Sequence, residues 1–166
     1  MRKLIPALAV AVAATVTAAT VATAGTGTEH YSFIDTSTAA VAHPVFSVIA
    51  TGAFTDSGTA IQESKATNKS KGVLVLHLSQ GTITFHTGRK PAGGTKAETA
   101  TACIQTETKH GNWTIAGGTG AYKGITGTGR VALVATFVET VSKGTCASGF
   151  SAVQAIVTAS GPVTLP

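Results

Sequence analysis

The chain has 166 residues, 43% of them hydrophobic and only 11% charged, with a formal net charge of +5. That length supports one domain with a real core and is short for two of ordinary size. Arg2 and Lys3 add to the charge at the N-terminus, and other bases sit in two polar loops (Lys65, Lys69 and Lys71; Arg89, Lys90 and Lys96), so no nucleic-acid partner is expected.

Met1, Arg2 and Lys3 precede "LIPALAVAVAATVTAATVATA", an uncharged run that ends in Ala22-Thr23-Ala24 before Gly25. A basic start, an apolar stretch and a small-x-small site predict a cleavable, helical secretory signal peptide over residues 1–24. The run is rich in Ala and Thr and no stop-transfer charges follow it, so no stable membrane span is expected after cleavage. The mature chain is expected to be secreted, outside the cell or on the exterior of its envelope. Without Arg2 and Lys3, ten Lys and Arg stand against seven Asp and Glu, a net charge of +3.

Residues 25–43 read as a lead-in and residues 44–166 as the folded domain. After Pro44, Phe46, Val48, Ala50, Gly52 and Phe54 alternate with Val45, Ser47, Ile49, Thr51 and Ala53, the period of a strand, and Asp56-Ser57-Gly58 reads as a turn. "VLVLHLS" (73–79) and "TITFHT" (82–87) predict a hairpin turning at Gln80-Gly81, with Leu78 facing Ile83 and Leu76 facing Phe85. The same register sets His77 opposite Thr84 and Val75 opposite His86. Then come a Thr-rich strand over 96–109 carrying Cys103, a short strand over 112–116, and strands over 130–141 and 150–159 joined by a loop containing Cys146. No helical period appears after residue 24, and short strands with many glycines predict an all-β sandwich or barrel. Cys103 and Cys146 are the only cysteines and predict one disulfide in an oxidising compartment. Closing that loop is worth at most about 4 kcal/mol in the chain-entropy treatment.

"GGTGAYKGITGTGR" (117–130) fits neither phosphate-loop spacing, and a strand follows it where a phosphate loop needs a helix. Gly117, Gly118, Gly120, Gly124 and Gly127 instead read as a backbone corner around a plugging Tyr122. The pattern W-x-I-x-G-G-T-G-x-Y-x-G-x-x-G, from Trp113 to Gly127, resembles the corner of the allene oxide cyclase and dirigent barrel superfamily, especially its secreted bacterial members. The likeness extends more thinly over "FSVIATGAFTDSGT", "GVLVLHLSQGTITF" and "RVALVATF". It implies a single eight-stranded antiparallel β-barrel with an apolar cavity, as a dimer or trimer. The cyclases isomerise an unsaturated fatty epoxide, and dirigent proteins steer the coupling of phenolic radicals. The cyclases depend on a carboxylate near the end of the first barrel strand, and the aligned stretch Phe46–Phe54 has none. Dirigent proteins need acidic residues in the cavity, and the nearest candidate, Asp56, falls in the predicted turn.

No hydrolase, zinc-protease, dithiol or calcium-loop motif is present, so no catalytic, cofactor or metal residue is assigned and no cofactor is expected. His77, Thr84 and His86 would share one face of the hairpin as a polar cluster, more simply a surface than a metal site. The expected function is binding of a small hydrophobic molecule without catalysis. The alternatives are an isomerase or cyclase that guides a hydrophobic substrate, and a structural or surface-interaction role.

Overall fold

The computed structural model describes residues 25–35, 44–65, 67, 70–88, 94–99 and 103–166; the expected signal peptide and residues 36–43 lie outside the described residues. Among the described residues nine strands form: β1 (Thr26–Asp35), β2 (Val45–Gly52), β3 (Asp56–Ser64), β4 (Gly72–Leu78), β5 (Gly81–Thr87), β6 (Gly94–Thr99), β7 (Ile104–Gly118), β8 (Thr126–Ser142) and β9 (Thr145–Thr164). One turn of 3-10 helix spans Gly120–Tyr122. Each consecutive pair from β1 to β5 is antiparallel, β9 bridges β1 and β8, and β5 pairs with β7, so eight strands close into an all-β antiparallel barrel. Closure pairs the two edges of the eight-strand ring through β5 and β7. The ninth strand, β6, lies on the N-terminal half of β7, beyond the stretch that pairs with β5.

The barrel starts earlier than the sequence suggested. Thr26–Asp35, inside the lead-in, is a full strand between β2 and β9, with Phe33 opposite both Val48 and Val157. Its Glu29, Tyr31, Phe33 and Asp35 are buried while Thr28, His30, Ser32 and Ile34 between them face out, so the strand obeys a strict period of two. Three further expectations change. The Thr-rich stretch 96–109 divides into β6 and the start of β7, and the short strand over 112–116 is the second half of β7. Cys146 lies within β9 and not in a loop. Asp56 opens β3, and the bend falls on Ala53 and Phe54 before it.

The β4–β5 hairpin forms with Ser79-Gln80 as its turn, so Leu78 faces Gly81, Leu76 faces Ile83 and Leu74 faces Phe85. This is a slip of two residues from the expected register. A slip of two keeps every side chain on its face, which is why the alternation could not detect it.

The Cys103–Cys146 disulfide forms and ties the start of β7 to the β8–β9 hairpin, with Cys103 buried. Such a bond belongs to an oxidising environment. Among the described residues no helix is long and apolar enough to cross a membrane, which says nothing about strands.

The inner wall is aromatic. Tyr31, Phe33, Phe54, Phe85, Trp113 and Tyr122 are all buried, together with Val48, Leu76, Leu78, Ile83, Ile125, Val163 and Leu165. Trp113 stacks on Phe85 with centroids 4.8 Å apart, and Tyr31 meets both rings edge-on at 5.8 and 4.9 Å. Edge-on contacts suit the ring quadrupoles, and each adds to the area buried. On the outside, Ile34, Ile156 and Val134 stand in one cross-strand row over β1, β9 and β8, each 43–47% exposed.

Candidate functional site

The barrel has two unlike ends. At the glycine end, where β1 begins and β9 finishes, the β4–β5 turn, the 3-10 turn and the β2–β3 bend converge. Gly120 sits at φ +60°, and a Cβ there would lie 2.3 Å from the carbonyl oxygen of Gln80. Gly118 would place a Cβ 2.3 Å from the carbonyl oxygen of Tyr122. The corner is therefore glycine because neighbouring backbone occupies the space of a side chain. Ala121 N–H donates to Gln80 O at 3.0 Å and Thr119 N–H to Thr82 O at 2.9 Å, which fastens the corner to the β4–β5 turn. Gly120→Ala is expected to cost about 1–2 kcal/mol in stability, from left-handed strain and the close carbonyl, read by denaturant unfolding. Gly117, by contrast, has open space around its missing Cβ, and alanine there should be neutral.

Under this corner lies a cluster of four polar side chains that the sequence reading did not assemble. Asp56 is its hub. Its carboxylate accepts from the N–H groups of Ser57 (2.7 Å), Ser79 (3.2 Å) and Gln80 (3.2 Å), from Ser79 Oγ (2.6 Å) and from Tyr122 Oη (2.6 Å). Burial pushes the Asp56 carboxyl up, but the hydrogen bonds from Ser79, Tyr122, Ser57 and Gln80 outweigh it and hold it below its ordinary value. Tyr122 is pushed up, by burial first and then by its bond to Asp56.

Glu29 is the second carboxyl, on β1 and fully buried. Its Oε2 accepts from Phe54 N–H at 3.1 Å, whereas Oε1 has neither a hydrogen-bond partner nor contact with solvent. Burial pushes its carboxyl up to about 7, against the lowering effect of the Phe54 and Ala53 N–H groups. Two positions along the same face, Tyr31 Oη is likewise buried without a partner. Burial raises the Tyr31 phenol, and the charges of Glu29 and then Tyr122 add to that shift. A buried polar atom left unpaired costs roughly 1–3 kcal/mol, so two of them on one face of β1 are a costly feature of the core.

The opposite end is mixed: Gln105, Glu107 and Lys109 of β7 share the inward parity of Trp113, and Lys109 Nζ pairs with Glu107 Oε2 at 2.8 Å. Phe46, Leu74, Val131 and Val157 point inward by the strand alternation and pack on the core, yet stay partly exposed, as does Leu133. Below them Phe33, Phe85 and Trp113 form a buried aromatic floor.

The expected His77, Thr84 and His86 cluster does not assemble. His77 faces Thr82, Thr84 faces Val75 and His86 faces Val73, so the two histidines sit four residues apart along the hairpin, about 13 Å at strand rise. They lie on the outer wall, His77 exposed and His86 partly so. Among the described residues, no group of three His, Cys, Asp or Glu is placed to hold a metal ion. The signal for Glu29 was available: in "TGTEHYSFID" it alternates in phase with Tyr31 and Phe33. The expected first strand, 46–54, has no carboxyl, whereas the observed first strand carries Glu29 and Asp35. Comparison with known proteins adds no relative, since no family model, no curated protein and no solved structure matches the chain.

Proposed function

We propose that the protein is a secreted barrel that binds one small hydrophobic molecule without catalysis. The observation that carries this reading is the set of inward apolar side chains Phe46, Leu74, Val131 and Val157, which pack against the aromatic core and keep part of their surface exposed. Barrels of about eight strands are wide enough for one such ligand. An inward-facing apolar wall gains free energy when a ligand covers it, at about 25 cal/mol for each Å² removed from water. Kinship with the allene oxide cyclase and dirigent barrels fits the same architecture, through the closed eight-strand ring and the glycine corner. Native mass spectrometry of the secreted protein, with organic extraction of what it carries, tests the reading. A stoichiometric apolar molecule is expected; protein that stays bare after exposure to lipid extracts would overturn it.

Glu29 favours a second reading, an isomerase or cyclase acting on a hydrophobic substrate. The resemblance asks for a carboxyl on the first barrel strand, and Glu29 of β1 supplies one, with its proton affinity raised by burial toward the range useful for proton transfer. Turnover of an unsaturated epoxy fatty acid that disappears in Glu29→Gln would favour this reading over simple binding.

A further inference from the structure

Four strands reach past the closed ring. β7 meets β5 over 113–118 and β9 meets β1 over 155–164. Among the described residues, β6, residues 104–111 of β7, 136–142 of β8 and 145–154 of β9 therefore form a tongue joined to the ring through its own strands. No residue of the tongue belongs to the hydrophobic core cluster, and beside the cystine Gln105 is its one buried side chain among the described residues. Its β8–β9 ladder is broken by register shifts between Val138 and Glu139 and between Glu139 and Val141. The Lys109–Glu107 ion pair is partly exposed and adds little. Strands with so little buried apolar surface are the first part of a fold to open.

The cystine opposes that opening. Cys103 stands just ahead of β7 and Cys146 near the start of β9, so the bond clips the far end of the tongue, where Glu139 N–H also donates to Cys103 O at 2.8 Å. Cys103 sits at φ +50°, a left-handed backbone that a residue with a Cβ rarely adopts and that relaxes once the clip is gone. We propose that the Cys103–Cys146 bond is a redox catch, whose reduction lets the tongue open while the ring stays closed. The ring keeps every residue of the core cluster, so its packing does not need the catch. The reductant is a dithiol. Its thiolate attacks Cys146 Sγ, the partly exposed sulfur, and the S–S bond breaks with Cys103, 5% exposed, as the leaving thiolate. The second thiol of the reagent then displaces Cys146 from the mixed disulfide. Two electrons and the two thiol protons pass to the cysteines, and the reagent ends as a cyclic disulfide. This inference goes beyond the binding reading and does not depend on it.

Trypsin cleavage after Lys109, read by mass spectrometry, tests the catch, because Lys109 lies in the tongue, between its pairing partners Gly94 and Leu133. The oxidised protein is expected to be cut there slowly. Reduction with dithiothreitol, or Cys103→Ala combined with Cys146→Ala, should speed the cut at least about tenfold, the low end of what losing a disulfide does to an opening equilibrium. A local opening exposes little surface, so the faster cut should scarcely change in dilute urea. Trp113, the only tryptophan, stacks on Phe85 inside the ring, and its fluorescence should stay that of the folded protein. A cut that is no faster without the bond would overturn the proposal. So would a cut that accelerates with urea along the unfolding of the whole protein, or a double variant that does not fold, since either shows that the bond holds the ring. A bond that dithiothreitol cannot reduce in the folded protein would overturn its role as a switch.

Discussion

Asp56→Ala is expected to remove about 3–5 kcal/mol of folding stability, enough to strip a domain of this size of much of its margin. The carboxylate accepts five hydrogen bonds from four residues, and these residues belong to three separate segments: the start of β3, the β4–β5 turn and the 3-10 turn. Removing it leaves the Ser79 and Gln80 N–H groups and the Tyr122 hydroxyl to find new acceptors at an end of the barrel packed against Phe54, whose ring centroid is 5.0 Å from that of Tyr122. Tyr122→Phe removes one donor of five and leaves the carboxylate its other four, so it should cost only about 1–2 kcal/mol. Denaturant unfolding of the secreted protein and the two variants measures both. An Asp56→Ala loss under about 1 kcal/mol would mean that water replaces the carboxylate and that the hub does not hold the corner. Because the folded Asp56 carboxyl lies below its ordinary value of 3.8, its contribution is present above that pH and is lost as pH falls through the lower folded value.

Glu29 has the opposite sign. Its folded carboxyl is raised from 4.5 to about 7, so the folded state holds a proton that the unfolded chain has released. Its share of stability is full below pH 4.5 and declines as pH rises, until it is lost by about pH 7, a fall on the order of 2–3 kcal/mol. With Asp56 failing only in stronger acid, the protein is expected to be most heat-stable near pH 4 to 5 and measurably weaker at pH 8. Thermal melts across that range check this, and Glu29→Gln, which carries no ionisable proton, should flatten the decline between pH 4.5 and 7. A melting temperature unchanged from pH 5 to pH 8 would show that Glu29 is already ionised and paired.

The sites differ in how readable they were. The disulfide followed from there being just two cysteines, and the corner from the density of glycines between Trp113 and Arg130. Glu29 and Tyr31 went unread although their alternation is regular, because "TGTEHYSFID" is rich in polar residues and lies ahead of the first clear apolar alternation. Its place in the wall depends on β2 and on β9, with Tyr31 opposite Ala50 on one side and Ala159 on the other. Asp56 looked like a turn residue for a sound local reason, since Asp-Ser-Gly is a common turn composition. Its actual role needs Ser79 and Tyr122, 23 and 66 residues away.

By itself, then, the sequence determined the all-β class, the division of strands such as 73–79 into two alternating faces, and the cystine pair. These depend on a period of two, on composition and on a count, all of which are local or global properties of the chain. The tertiary structure alone decided the hairpin register, the recruitment of residues 26–35 as the first strand, the dispersal of His77 and His86, and the burial of Glu29 beside Tyr31. Each of those is fixed by which distant strands share a ladder, and a shift of two residues in that pairing changes every neighbour while leaving the local pattern the same.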